Sequence, residues 1–223
     1  MFAENVLEKI QRNPVVVTVV IDDAADAAPL GRALRDGGIS SVELTLRTPP
    51  AMEALGILRE QFPEMTVGAG TVLTREQVRG LKDRGVEFGV APGLNPNVLD
   101  EAKRTGLSFA PGVATPSDVE RALELGCRVL KFFPAEPIGG LPYLTSMAAP
   151  YRHLGLRFMP LGGISRSNMR AYLDSPLIAA VGGSWIAPRK LIQAGDWTAI
   201  RQLAGEATEA ARKSASKEET ARA

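Results

Sequence analysis

The chain has 223 residues, 45% hydrophobic and 23% charged, which is ordinary globular composition and enough for a sizeable core. Its 26 basic and 25 acidic residues leave a formal net charge of +1 with no basic stripe, which argues against nucleic acid or an acidic membrane surface as partner. One cysteine, Cys127, rules out an intrachain disulfide, and one histidine, His153, leaves too few ligands for an ordinary zinc site.

The N-terminal segment, Met1 to Ile10, lacks a basic start and a long apolar run. It reads as a short amphipathic helix rather than a signal peptide. No apolar stretch reaches membrane-spanning length, so a cytoplasmic protein is expected. Eight short β-branched or apolar runs then follow: Val15–Ile21, Ser41–Leu46, Met65–Ala69, Glu87–Ala91, Ser108–Ala110, Arg128–Phe133, Arg157–Pro160 and Ile178–Val181. Helical signals lie between them. Thr74 with Gln77 fits a capping box, and Thr115-Pro116 with Asp118 supplies a cap, a first-turn proline and an acid. Gly37-Gly38, Gly85, Gly106, Gly126 and Gly155 fall where helices should stop. Leu191 to Lys213 reads as closing helical structure capped by Asp196, with a polar tail, 214–223, expected to fray.

Alternating strands and helices predict a parallel sheet. Eight units in this length match a compact (β/α)8 TIM barrel preceded by the short helix, as one domain over 1–223. No Gly-x-Gly-x-x-Gly turn follows the first strand, so a dinucleotide-binding open sheet has little support.

Two strands carry charges where a barrel should be packed. In Ser41-Val-Glu-Leu-Thr-Leu-Arg47, alternation puts Val42, Leu44 and Leu46 toward helices and Glu43, Thr45 and Arg47 toward the axis. In Val129-Leu-Lys-Phe-Phe133, Lys131 sits among large apolar residues near the C-terminal end, where barrels build active sites. A structural Glu43–Lys131 ion pair, or a lysine snorkelling outward, accounts for these residues about as well as chemistry does. The chemical alternative is specific. Apolar surroundings and a neighbouring cation such as Arg47 disfavour an ammonium; a free amine can attack a ketone to form an iminium, while a carboxylate moves the protons.

Glycine pairs follow the seventh and eighth strands, in Leu161-Gly162-Gly163-Ile164 and Val181-Gly182-Gly183-Ser184. Such pairs let backbone N–H groups approach an anion, in the loops where barrels hold phosphate, and Ser184 adds a hydroxyl. Gly68-Ala-Gly70-Thr71 opens the backbone near the same mouth. Each also makes an ordinary turn.

Val42-Glu-Leu-Thr-Leu-Arg47, Val67-Gly-Ala-Gly-Thr-Val72, Ala91-Pro-Gly93, Pro111-Gly-Val113, Lys131-Phe-Phe-Pro-Ala-Glu136, Gly162-Gly-Ile164 and Gly182-Gly-Ser-Trp185 together resemble the 2-keto-3-deoxy-6-phosphogluconate (KDPG) aldolase / 4-hydroxy-2-oxoglutarate aldolase family. The likeness spans nearly the whole chain, and the lysine segment is its most specific part. It implies a class I aldolase of the Entner-Doudoroff pathway, acting on a phosphorylated 2-keto acid, without metal or other cofactor, as a homotrimer. By the resemblance Lys131 matches the Schiff-base lysine and Glu43 the general acid/base. Arg47 and Thr71 match the carboxylate end, Gly162, Gly163 and Ser184 the phosphate end, and Pro92 and Phe133 the pocket lining. Two departures stand out. Leu161 replaces a common threonine and cannot donate a hydrogen bond to a substrate hydroxyl. The first strand lacks the proline or arginine of some relatives, which would weaken phosphate attraction.

The implied reaction cleaves KDPG to pyruvate and glyceraldehyde 3-phosphate. Leu161 and the altered first strand keep 4-hydroxy-2-oxoglutarate cleavage as the alternative. A phosphate-binding epimerase or isomerase barrel would share the glycine loops without needing Lys131 as nucleophile, and a trimeric structural scaffold would need neither.

Overall fold

The structure, a computed structural model, describes the backbone of residues 1–221 and the side chains of residues 1–212. The chain opens with α1 (Glu4–Arg12), an amphipathic helix that buries Val6, Leu7 and Ile10. Strand and helix then alternate: β1 (Val15–Val19), α2 (Ala27–Asp36), β2 (Ser41–Thr45), α3 (Ala51–Gln61), β3 (Thr66–Gly70), α4 (Arg75–Asp83), β4 (Phe88–Val90) and α5 (Pro96–Thr105). The second half continues with β5 (Ser108–Ala110), β6 (Gly112–Val113), α6 (Pro116–Glu124), β7 (Val129–Phe132), α7 (Gly140–Ala148), β8 (Arg157–Pro160) and α8 (Met169–Leu173). It ends with β9 (Val181–Gly183), α9 (Arg189–Gln193) and α10 (Trp197–Ala221). The fraying expected from Ser214 falls beyond the last described side chain.

The predicted helix signals work as their chemistry requires. Thr74 Oγ1 accepts from the Gln77 amide while the Gln77 side chain accepts from the Thr74 amide. Thr115 and Asp118 form the same reciprocal box at α6. Gly106 ends α5 in the left-handed conformation, φ 69°, which a Cβ would strain. The expected closing helical structure consists of two helices, because the chain turns at Gly195 (φ 64°) between α9 and α10. Asp196 then caps the second, accepting from the Ala199 amide at 3.0 Å.

All strand pairs are parallel. The fold is an α/β structure with a curled sheet in two parts, ordered β5-β4-β3-β2-β1-β9 and β6-β7-β8. Pro111, which has no N–H, separates β5 from β6. Its carbonyl still accepts from the Lys131 amide at 2.8 Å, so the two parts adjoin there. On the other side, Ile178 bridges to Phe158, and the Ala179 amide donates to the Phe158 carbonyl.

The eighth expected strand is shifted. The ladder with β1 runs over Val181–Gly183, so Gly182 and Gly183 lie in the strand opposite Val16 and Val17 rather than in the loop after it. They fit there because neighbours use the space their missing side chains leave: a Cβ on Gly182 would stand 2.4 Å from the Leu161 side chain, and one on Gly183 would stand 2.8 Å from the Trp185 indole.

Two apolar clusters form. The larger lies between sheet and helices and holds Val42, Leu44, Leu130 and Phe132. The smaller lies on the concave face and holds Val16, Phe88, Val90, Ala110, Val129, Met159 and Leu161. Val6, Leu7 and Ile10 of α1 join this inner cluster and plug the N-terminal end of the strands. The opposite end stays open, which is where the side chains of the site emerge.

Candidate active site

Strand alternation builds the site, as the sequence pattern predicts. Because Val42 and Leu44 face the helices, Glu43 and Thr45 face inward, and Arg47 follows at the mouth. Because Leu130 and Phe132 face the helices, Lys131 faces inward beside them. A cavity of about 550 Å³ at the C-terminal ends of the strands is lined by Glu43, Arg47, Lys131, Phe133, Gly162, Gly163 and Ser184. Leu161, Gly182 and Gly183 complete the wall between the two glycine segments.

At its base, Lys131 Nζ donates to Glu43 Oε1 at 3.1 Å. Glu43 is 1% exposed and Lys131 5% exposed. Lys131 also lies 5.4 Å from the centre of the Phe133 ring, within cation–π range. A Glu43–Lys131 ion pair is therefore present, and it stands in an open cavity rather than in a sealed core. Gly70, the last residue of β3, makes it possible: a Cβ there would lie 2.0 Å from Glu43 Oε1. Glu43 Oε2 is buried without a hydrogen-bond partner among the described residues, and so is Thr18 Oγ1 on the adjacent strand.

Arg47 does not approach Lys131 as its nearest charge. Its Nε donates to Thr71 Oγ1 at 3.2 Å. Thr71 holds φ 57°, a left-handed conformation unusual for a β-branched residue. It reaches the site through Arg47 and is not part of the cavity wall. Pro92 is not brought in: it lies exposed on the turn after β4, where its backbone packs against Gly112.

The first glycine pair is held from behind. The Gly162 carbonyl accepts from the Glu136 amide at 3.0 Å, and the Gly163 carbonyl accepts from Asn168 Nδ2 at 3.0 Å. Asn168 Oδ1 in turn accepts from the Ser165 amide at 2.8 Å. Glu136 is itself steadied by the Tyr172 hydroxyl, whose ionisation burial and then that carboxylate both push up. Among the described residues, the amides of Gly162, Gly163, Ile164 and Ser184 donate to no backbone carbonyl. These N–H groups, on the two loops that follow β8 and β9, are suited to an anion.

Several lining residues escaped the sequence reading. Thr18 and Val20 come from β1 and its exit, Trp185 and Arg189 from beyond β9. Thr18 had a signal, being a polar residue on the inward face with Val16 and Val20. Arg189 had none, since its place at the mouth depends on a partner 167 positions away. Its Nε donates to Asp22 Oδ2 at 2.8 Å, a second bond joins the same two side chains, and Gln193 Nε2 donates to Asp22 Oδ2 at 2.8 Å. The Arg189 hydrogen bond holds the Asp22 carboxyl below its usual range. The mouth thus carries an Arg189–Asp22 ion pair, with the guanidinium on the cavity wall.

Among the described residues, no group of three or more His, Cys, Asp and Glu side chains is placed to hold a metal. No described helix is long and apolar enough to cross a membrane. Cys127 is buried, and burial pushes its thiol up to about 11, which makes it a packing residue.

Comparison with known proteins places this geometry. The family model described as KDPG and KHG aldolase matches residues 6–203. The 2-dehydro-3-deoxy-phosphogluconate aldolase of Treponema pallidum is 41% identical over 198 residues, 89% of this chain and 93% of that protein. Among solved structures, the 2-keto-3-deoxy-6-phosphogluconate aldolase of Zymomonas mobilis with 3-phosphoglycerate is 43% identical. It superposes with a TM-score of 0.84, covering 92% of this chain and 96% of that one. The KDPG aldolase of Legionella pneumophila, with pyruvate captured as a covalent carbinolamine, is 37% identical with a TM-score of 0.85, covering 90% and 96%. With the match running from the first helix into the last, the chain belongs to the KDPG and KHG aldolase family.

Proposed function

We propose that this chain is a class I aldolase that cleaves KDPG to pyruvate and glyceraldehyde 3-phosphate through an imine on Lys131. The observation that carries this reading is the 3.1 Å contact between Lys131 and Glu43, both nearly fully buried, at the floor of an open cavity. That contact is a route for the ammonium proton to reach the carboxylate, which frees the amine to attack the C2 ketone. Arg47 and Thr71, already joined, hold the substrate carboxylate, the arginine with its remaining N–H donors. Glu43 returns a proton as water leaves the carbinolamine, then accepts the proton of the C4 hydroxyl. The C3–C4 bond breaks, its electrons enter the iminium as an enamine, and the aldehyde departs. Protonation of the enamine and hydrolysis of the imine release pyruvate and restore the lysine.

The phosphate lies against Gly162, Gly163 and Ser184 in this reading, with the Arg189 guanidinium, paired to Asp22, on the wall at the mouth. Phe133 packs against the Lys131 ammonium, while Pro92 acts only by shaping the turn beside Gly112. No metal or other cofactor takes part. The bridge at Ile178 and the contact at Pro111 support closing the two sheet parts into one (β/α)8 barrel, a single domain over 1–223. Family likeness supports a cytoplasmic homotrimer.

Incubation with pyruvate followed by borohydride tests the chemistry. A reduced pyruvate adduct confined to Lys131 is expected by peptide mass spectrometry; folded protein without it would leave Lys131 a structural lysine.

The alternative, cleavage of 4-hydroxy-2-oxoglutarate, is favoured by Leu161, whose apolar side chain fills the wall over Gly182. The unengaged amides, spread over both glycine segments, suit a phosphate dianion better than a second carboxylate. Faster turnover of KDPG is therefore expected when the two substrates are compared, and the reverse order would reassign the substrate while keeping the imine.

A further inference from the structure

Two cavity-lining residues on adjacent strands each carry a buried side-chain oxygen with no hydrogen-bond partner among the described residues. Thr18 in β1 is the register partner of Glu43 in β2. Side chains of paired residues in neighbouring strands project to the same face of the sheet. Both residues line the cavity, and Thr18 Oγ1 and Glu43 Oε2 are each buried with no hydrogen-bond partner among the described residues. Oε1 of the same carboxylate is committed to Lys131. An unpaired buried hydroxyl or carboxylate oxygen is costly, and polar cavities that offer two or more partners are the ones that hold an ordered water.

We propose that Thr18 is a positioning residue for proton transfer, its hydroxyl and Glu43 Oε2 together holding the water through which Glu43 exchanges protons with substrate. The proposal rests on the aldolase reading above. The division of labour follows from the geometry. Oε1 is engaged by the nucleophile, which leaves Oε2 and Thr18 Oγ1, on two residues that line the cavity, as the unpartnered oxygens of this pair among the described residues. In the forward transfer the substrate proton passes to the water as one of the water's own protons passes to Oε2. One proton moves in all, and nothing else is consumed. Without the hydroxyl the water keeps one anchor instead of two. It is then free to rotate out of line with the substrate, so the chemical steps slow while substrate binding does not.

Thr18→Val keeps the β-branched shape and removes the hydroxyl; Thr18→Ser restores it. The readouts are steady-state cleavage of KDPG and solvent deuterium incorporation into the pyruvate methyl group without aldehyde, which reports enamine protonation alone. Borohydride trapping with pyruvate is run on each protein. Thr18→Val is expected to trap pyruvate on Lys131 as fully as the parent. Its kcat and its deuterium exchange should both fall about tenfold at unchanged KM, part of the range general acid–base groups supply. Thr18→Ser should recover most of both rates. Exchange and kcat within twofold of the parent in Thr18→Val, or a Thr18→Ser protein as slow as Thr18→Val, would overturn the role while leaving the trapped imine intact. Absence of the adduct in the parent would overturn the aldolase reading and this proposal together.

Discussion

At the scale of single residues, the site depends as much on what is missing as on what is present. Gly70 leaves the space that the Glu43 carboxylate occupies, with only 2.0 Å between an added Cβ and Oε1. Gly70→Ala must therefore displace the carboxylate or the strand. A loss of at least about tenfold in kcat is expected, with the ~1–3 kcal/mol destabilisation typical of overpacking. Steady-state kinetics and urea unfolding of the variant measure both, and near-native turnover would show that the position of Glu43 does not matter. Leu161 and Gly182 show the same reciprocity in the wall, where a larger side chain on one strand sits over a bare backbone on the next. Inward-facing Glu43, Arg47 and Lys131 were legible from alternation alone. Pro92 was not, because a turn's orientation has no period to read. Arg189 was invisible for a related reason: what aims it is Asp22, at the exit of a strand far away in sequence.

At the scale of elements, α4 and α5 are joined by a carboxylate gathered among arginines. Glu101 is 1% exposed, accepts from Arg79 Nε at 2.9 Å and Arg104 Nη2 at 2.5 Å, and lies 3.9 Å from Arg75. The Arg104 hydrogen bond, and then that of Arg79, pull its carboxyl down to about 2. The sign follows from the depressed value. Above the unfolded carboxyl pKa, about 4.3, the group contributes its full stabilisation; this is lost as pH falls from there through about 2. Glu101→Gln is expected to flatten the dependence of the urea midpoint on pH between about 4.5 and 2, leaving the slope at neutral pH unchanged. Equal acid slopes in parent and variant would place the acid sensitivity elsewhere. The capping boxes at α4 and α6 were readable from their spacing because a cap is a local bond between residues three apart. The Glu101 cluster joins two helices and has no such local signature.

At the scale of the whole molecule, the two ends of the curled sheet are treated differently. α1 fills one end with Val6, Leu7 and Ile10, and the cavity with Glu43 and Lys131 occupies the other. Ile10 is fully buried against the inner cluster, so Ile10→Ala should cost ~2–5 kcal/mol by removing packed methyl groups from a site with little room to collapse. Because the plug and the cavity lie at opposite ends, pyruvate trapping on Lys131 should survive the change in the folded fraction. Denaturant unfolding with parallel borohydride trapping checks the pair of outcomes. A fully stable variant would mean that α1 merely covers the sheet.

Local signals along the chain set the order of strands and helices, the parallel pairing, the caps, and the faces on which Glu43 and Lys131 lie. All of these follow from short-range periodicity or from bonds spanning a few residues. Contacts between distant segments set the rest: the shift of the last strand into Gly182 and Gly183, the meeting of Thr18 with Glu43, and the Arg189–Asp22 pair at the mouth. Each of these depends on which distant strand lies alongside and on the space its side chains leave. That information resides in pairing and packing between segments, and no local pattern encodes it.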